Sequence, residues 1–324
     1  MTLRVEMERY GGPEELRPVD RPEMDPAPGE VVIRTAVAGV NRADLFIRSG
    51  QWTQQGGWPY VPGLEACGTV ERVGDGVGAL EVGDPVITMM QRLGGIHGAR
   101  PGGYQQRVCV PAAAVARAPE GLPLEVAGAL GLPAVTAWMA LRVLNVRRGQ
   151  RVLVHAGSSA VGLMAVQILR HQGARVVATG TRTAKFALVR GCGAEDVVDT
   201  RAPEWAARVG PVDHVFDLVG RQTFAASVGL LAAGGRLLFV GGTSGGELSF
   251  AGWDLMRPVT LTGYSSETLT RDEVRASMSA LAALHARGAL TVPQLTRFPL
   301  AQAADAHRAL ESGALAGRVV LTAE

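Results

Sequence analysis

The chain has 324 residues, 47% hydrophobic and 19% charged, with 32 basic side chains against 30 acidic ones and a formal net charge of +2. That length predicts two domains, each able to bury its own core, and the near-neutral balance argues against a nucleic-acid surface. Cys67, Cys109 and Cys192 are far apart with no C-x-x-C spacing, which argues against a disulfide framework and a structural zinc.

The opening residues, Met1-Thr-Leu-Arg-Val-Glu6, carry no basic-then-apolar leader, and no apolar run is expected to reach membrane-spanning length. The expectation is a cytoplasmic protein with no membrane partner. From residue 1 to about 120 the pattern is β-like. Strand candidates at 31–38, 66–73, 84–88 and 104–110 are separated by Gly- and Pro-rich turns such as 26–29 and 74–78. Many short strands with frequent turns predict a partly closed β-barrel. The pattern changes near Leu122. Residues 124–144 are Ala- and Leu-rich and helical in period, with a break predicted at Pro133.

From Arg151 the chain alternates strand and helix. Strands are predicted at 151–155, 175–179, 196–199, 213–217, 236–240 and about 258–263, with helices such as 183–191 and 222–232 in the gaps. Strands in this alternation make an α/β fold with a doubly wound parallel sheet of the Rossmann kind. The tail carries amphipathic helices at 271–287 and 301–311 and a closing strand at 317–321. That strand must pair somewhere, and the N-terminal β domain is the economical choice, leaving a cleft between the domains for substrate. The expected division is 1–121 with 264–324 as the substrate domain, and 122–263 as the nucleotide domain.

The segment Arg151-Val-Leu-Val-His-Ala-Gly-Ser-Ser-Ala-Val-Gly162 reads as strand, phosphate loop and helix. Gly157 and Gly162 take the first and third glycine places of the dinucleotide fingerprint, and Ser159 stands in the middle one. Gly157, Ser158, Ser159, Ala160, Val161 and Gly162 are therefore candidate pyrophosphate contacts, since a helix N-terminus offers unpaired N–H groups and partial positive charge. After the second strand, where an NAD protein usually puts an acid for the ribose hydroxyl, the chain reads Gly180-Thr-Arg-Thr-Ala-Lys185. No Asp or Glu occurs between Gly162 and Glu195. That points to a 2'-phosphate and so to NADP(H), with Gly180, Thr181, Arg182 and Lys185 as its candidate contacts.

Several phrases resemble one family. Gly39-Val-Asn-Arg-Ala-Asp-Leu-Phe-Ile-Arg-Ser-Gly50, Pro62-Gly-Leu-Glu-Ala-Cys-Gly-Thr-Val70, Val82-Gly-Asp-Pro-Val86, Thr136-Ala-Trp138 and Gly317-Arg-Val-Val-Leu321 are similar to segments of the zinc-independent quinone oxidoreductases, in the medium-chain dehydrogenase/reductase superfamily. The resemblance implies a GroES-like β-barrel domain beside the Rossmann domain, and a homodimer joined through Rossmann sheet edges. It implies that Asn41 contacts the nicotinamide ribose or the reacting oxygen, and that Thr136 contacts the cofactor near its ribose-phosphate. Val219, Phe239 and Gly241 would flank the nicotinamide, and Arg318 would reach the cofactor from the closing strand. Zinc relatives in the superfamily place Cys at the present Asn41 and His within the present 63–65, and carry a four-cysteine lobe near the present 88–103. This chain has neither set, so no metal is expected. His97 reads as a solvated loop residue, and Asp44 and Glu65 as residues that hold barrel turns. Family members often place Tyr near the present Trp52 and at the present Thr200, and both positions differ here.

Without a Lewis acid for an alkoxide, hydride addition to an electron-poor acceptor is the feasible chemistry. The expected function is NADPH-dependent reduction of a quinone or an α,β-unsaturated carbonyl, with Asn41 as the catalytic candidate. Trp52, Tyr60, Tyr104 and Tyr264 are candidate substrate-wall residues, because aromatic rings stack on a flat acceptor. The insertion 54–57 and the Gly-rich loop 93–103 read either as a lid or as loose segments. Two alternatives stand beside this reading. One is a reductase of 2-enoyl thioesters or of a secondary-metabolite intermediate. The other, from a different class, is a non-catalytic NADPH-binding or nucleic-acid-binding protein, which the near-neutral charge disfavours.

Overall fold

A computed structural model describes residues 1–53, 56–89 and 101–323; most of the 93–103 loop, with His97, and part of the 54–57 insertion lie outside them. Among the described residues the chain runs through β1 (Thr2–Glu6), β2 (Arg17–Arg21), β3 (Glu30–Val40), α1 (Arg42–Arg48), β4 (Glu65–Val73), β5 (Pro85–Met89), β6 (Arg107–Pro111), β7 (Ala116–Arg117) and α2 (Leu124–Leu144). There follow β8 (Arg151–Val154), α3 (Ala160–His171), β9 (Arg175–Gly180), α4 (Phe186–Gly191), β10 (Asp196–Asp199), α5 (Trp205–Val209), β11 (Val212–Asp217), α6 (Phe224–Leu230), β12 (Leu231–Phe239) and β13 (Thr260–Gly263). The tail adds α7 (Arg271–Ala286), β14 (Leu295–Pro299), α8 (Ala303–Glu311) and β15 (Arg318–Thr322).

Two compact units result. One holds Met1–Val135, Ser266–Ala283 and Gln294–Glu324; the other holds Thr136–Ser265 and Leu284–Pro293. The first boundary therefore lies past the expected 121/122, because the first part of α2 belongs with the β-rich unit. Residues 284–293 go with the nucleotide unit instead, a return that no local pattern in the tail announces.

In the nucleotide unit the sheet order is β10-β9-β8-β11-β12-β13, and every pairing is parallel. The order reverses between β8 and β11, the place where such sheets open a crevice at their carboxyl ends. Val152, Leu153 and Val154 of β8 have no exposed surface, as a strand covered on both faces requires. Leu153, Val177, Val198, Val215 and Leu237 pack against Trp205 and Phe224 to form the core. The helix expected at 222–232 is shorter, because β12 begins directly after Leu230 and starts earlier than predicted.

In the other unit β3 is the hub. Its first half pairs antiparallel with β6, and its last residues pair antiparallel with β15, while β4 runs along its other edge. One strand with successive partners on one side curls the sheet toward the GroES-like barrel. Val31, Ile33, Val70, Val86, Val108 and Val110 fill its interior. The closing strand thus returns to the N-terminal β region, with Val319 opposite Val40. The β1–β2 hairpin, α1 and β14 were not predicted.

The break in α2 is at Gly131, with φ 38° and ψ −146°, rather than at Pro133. Pro133 lies in the first turn of the segment after the break, where its missing N–H costs little. With 21 residues, α2 is long and apolar enough to cross a membrane by length and composition, contrary to the expectation that no run is; 72% of its most apolar window is buried within the fold. It is a core helix.

Candidate active site

The phosphate loop of the nucleotide unit is shaped by two glycines and one serine. Gly157 donates its N–H to the Thr179 carbonyl at 2.8 Å, and a Cβ there would lie 2.8 Å from the Ala178 Cβ. The loop can lie this close to β9 only with glycine at 157. A Cβ at Gly162 would overlap the Ala156 carbonyl, so helix α3 can start against the loop only with glycine there. Ala156 itself takes φ 51°, turning the chain sharply out of β8.

Ser159 is the N-cap of α3, and its Oγ accepts the Gly162 N–H at 3.0 Å. The Leu163 N–H closes on the Ser159 carbonyl at 2.9 Å. Of the first N–H groups of the helix, those of Ala160 and Val161 remain for an anion. The serine in the middle glycine place has a structural reason: it starts the helix.

Beside it, the end of β9 carries no acid. Gly180 accepts from the Thr200 N–H at 3.1 Å, Thr181 and Arg182 are exposed, and Lys185 is half-buried. Two cationic side chains thus flank this strand end, and Arg201, paired with Asp199 at 2.6 Å, adds a third nearby.

At the end of β11, Asp217 is fully buried, and its Oδ1 accepts the N–H groups of Val219 at 2.8 Å and Gly220 at 3.0 Å. Burial pushes this carboxyl up to about 6, against the pull of those backbone donors. The Asp217 carbonyl takes the N–H of Val240 and of Gly241, and Ser244 donates twice to the Val219 carbonyl. Val219, Phe239 and Gly241 are therefore held in one cross-braced pair of loops at the carboxyl edge of the sheet. Asp217 was not predicted. Its only signal was an acid directly after the apolar pair Val215-Phe216 at the end of β11.

In the β-rich unit, Asn41 is the N-cap of α1 and is half-buried. Its Nδ2 donates to Glu65 Oε1 at 2.8 Å, and its Oδ1 accepts from Arg318 Nη1 at 3.1 Å. Arg318 Nη2 pairs with the same Glu65 oxygen, and both side chains are almost wholly buried. Glu65 Oε2 accepts the Leu132 N–H at 2.7 Å, just past the α2 break. Arg318, expected to reach the cofactor, instead commits its guanidinium to Glu65, Asn41 and the Val40 carbonyl. Asp44 does hold a turn: its oxygens accept the N–H of Asn41 at 2.7 Å and of Leu64 at 3.1 Å. Burial pushes Asp44 up to about 7, with Glu65 nearby adding to the effect.

Of the four aromatic candidates, two are placed inside. Tyr104 has no exposed surface, and its hydroxyl lies 3.0 Å from His307 Nε2. Tyr60 is 2% exposed, in a β-bridge with Met7. Neither presents a ring to a ligand, which corrects their assignment to a substrate wall. Both lie beside glycine and proline turns, where sequence gives no sense of inside and outside. Trp52 is 36% exposed and packs on Phe46 of α1 with ring centroids 5.3 Å apart. Tyr264 is half-buried, next to the end of β13, and Thr136 is 8% exposed on α2.

Comparison with known proteins gives these parts a common context. Residues 27–120 match the alcohol dehydrogenase GroES-like domain, and residues 192–321 match a model described as zinc-binding dehydrogenase. The chain is 32% identical to a probable quinone oxidoreductase of Schizosaccharomyces pombe, over 98% of this chain and 96% of that one. A mycobacterial protein solved in complex with NADPH superposes with a TM-score of 0.88 at 36% identity, over 99% of this chain and 100% of that one. The chain is also 31% identical to part of a mycocerosic acid synthase-like polyketide synthase of Mycobacterium tuberculosis, over 91% of this chain and 14% of that one. The fold and the nucleotide loop define a medium-chain dehydrogenase/reductase. Within that superfamily the chain belongs to the quinone oxidoreductase family.

Proposed function

We propose that this protein is an NADPH-dependent reductase that transfers hydride to a quinone or another α,β-unsaturated carbonyl compound without using zinc. The observation that carries the reading is Asn41, an amide held between Glu65 and Arg318 at the position where zinc relatives place a thiolate ligand. A guanidinium paired with the adjacent carboxylate disfavours a divalent cation there. The matched model's zinc-binding description fits the superfamily, not the donor set of this chain.

The nucleotide unit fits the cofactor. Glycine at 157 lets the loop lie against β9, Ala160 and Val161 offer N–H donors for the pyrophosphate, and Arg182 and Lys185 offer charge for the 2'-phosphate. Bound NADPH supplies the hydride. The braced loops at Val219 and Gly241 orient the ring end of the cofactor. Asn41 donates a hydrogen bond to an oxygen of the bound reactants, and solvent supplies the proton that completes reduction, so no dedicated acid is required. Trp52 in the β-rich unit, and separately Tyr264 in the nucleotide unit, stay candidate contacts for a flat acceptor.

Two further features belong to this reading. Strand β13 is an edge of the parallel sheet, and Trp253 and Met256, just before it, are 83% and 79% exposed. An apolar patch beside an open strand edge supports a homodimer. The near-neutral charge supports an enzyme with no nucleic-acid partner.

The similarity to part of a polyketide synthase favours a second reading, reduction of a 2-enoyl thioester. NADPH oxidation followed in parallel with quinones, small enals and enoyl thioesters separates the two. Turnover confined to thioesters selects the second. Tight NADPH binding with no turnover on any of the three would overturn both in favour of a non-catalytic role.

A further inference from the structure

Four separate elements converge on one half-buried amide. Gly39 on β3, Glu65 on β4, Gly131 in α2 and Arg318 on β15 surround Asn41 at the start of α1. A Cβ at Gly39 would overlap Arg318 Nη2, and one at Gly131 would overlap Glu65 Oε2, so both glycines make room for the ion pair. The pair itself is 1% and 3% exposed. A buried ion pair of this kind is weak evidence for stability, because desolvation offsets its attraction. Something other than stability accounts for the arrangement.

The chemistry of the partners suggests what that is. A carboxylate only accepts hydrogen bonds and a guanidinium only donates them. Asn41 therefore has one permitted orientation, with Nδ2 on Glu65 and Oδ1 on Arg318. The flipped amide would set oxygen against oxygen and N–H against N–H. Each Glu65 oxygen is already engaged, Oε1 by Asn41 and Arg318, Oε2 by the Leu132 N–H. The backbone of Asn41 is fixed as well, by Asp44.

We propose that Glu65 and Arg318 are positioning residues that lock the Asn41 amide in this single orientation, so that its second Nδ2 proton is presented as a hydrogen-bond donor to an oxygen of the acceptor molecule. Asn41 then stabilises negative charge developing on that oxygen. The kinetic part rests on the reductase reading; the orientation does not.

A double-mutant cycle and a spectrum test it. Glu65→Gln keeps the size of the side chain but presents either an oxygen or an NH2 group to Asn41. In the wild-type background it is expected to lower kcat with a quinone about tenfold, with a smaller change in the KM for NADPH. In an Asn41→Ala background the same change is expected to cost less than about twofold, since nothing is left to orient. Equal losses in both backgrounds would overturn the proposal. Arg318→Lys, which keeps the charge and loses the fork, gives a second cycle if Glu65→Gln does not fold. The spectrum needs neither turnover nor a variant of Glu65 or Arg318. In a nitrogen–proton correlation spectrum of the labelled protein, the Asn41 side-chain pair, assigned by its loss in Asn41→Ala, is expected to show one proton shifted strongly downfield by the carboxylate. Two ordinary amide shifts would overturn the proposal even in an active enzyme. A downfield proton in an enzyme inert toward quinones would sustain the lock and reject only the acceptor class.

Discussion

The Ser159 hydroxyl oxygen lies 3.0 Å from the Gly162 N–H, so the residue in the middle glycine place of the phosphate loop is the N-cap of the helix that follows. Ser159→Ala is expected to destabilise the fold by about 1 kcal/mol and Ser159→Gly by only a few tenths, the usual ranking for an N-cap. Denaturant unfolding with a constant m-value checks this. NADPH affinity is expected to change little in Ser159→Gly, because the Ala160 and Val161 N–H groups remain in place.

How much of this was readable in sequence depended on the range of the interaction. Inner parallel strands such as β8 and β9 were visible because each carries a short apolar run buried in the sheet, and the Gly157–Gly162 spacing is a local signal. The capping role of Ser159 was also local, yet the glycine comparison drew attention to phosphate contact instead. Glu65 and Arg318 stand 253 residues apart, and nothing in either neighbourhood announces the other. Tyr104 illustrates the opposite error. An aromatic in a Gly-rich segment reads equally well as a wall or as core, and its burial against His307, on the helix expected at 301–311 but 203 residues away, decides for the core.

The acid-free end of β9 predicts cofactor preference. NADPH is expected to bind much more tightly than NADH. If they read the 2'-phosphate as proposed, Arg182→Ala and Lys185→Ala are each expected to weaken NADPH about tenfold while leaving NADH nearly unchanged, because only NADPH carries that phosphate. Titration of cofactor fluorescence gives both dissociation constants. A parallel loss for the two cofactors would show that these side chains shape the loop and do not read the phosphate.

Tyr104 offers a test of position. Tyr104→Phe removes the hydroxyl beside His307 Nε2 and leaves a buried ring nitrogen short of a partner. The expected cost is about 1–3 kcal/mol of stability with kcat/KM for the acceptor unchanged. A residue on the substrate wall would show the reverse, normal melting with altered acceptor KM.

His155 gives the molecule a defined response to acid. It ends the run of β8 with no exposed surface, its Nδ1 2.7 Å from Thr179 Oγ1 and its Nε2 2.7 Å from Ser227 Oγ. Ser227 gives its own proton to the Thr223 carbonyl at 2.8 Å, so it accepts from Nε2, and the Thr179 hydroxyl donates to Nδ1. The ring is therefore neutral, and burial pulls its pKa down to about 3. A depressed folded-state pKa stabilises the fold above the unfolded value of about 6.5 and loses that contribution as pH falls toward 3. Asp44 and Asp217, raised to about 7 and about 6 by burial, act in the opposite sense and lose stability as pH rises through those values. The intact protein thus sums opposing slopes, and its net pH dependence hides each one. The difference between wild type and His155→Gln isolates the histidine. The wild type is expected to be the more stable at about pH 7, with the gap narrowing toward about pH 5 by at most about 1.4 kcal/mol per unit. Unfolding by urea at a series of pH values measures it, and a gap independent of pH would show that His155 takes up its proton in the folded state as readily as in the unfolded chain.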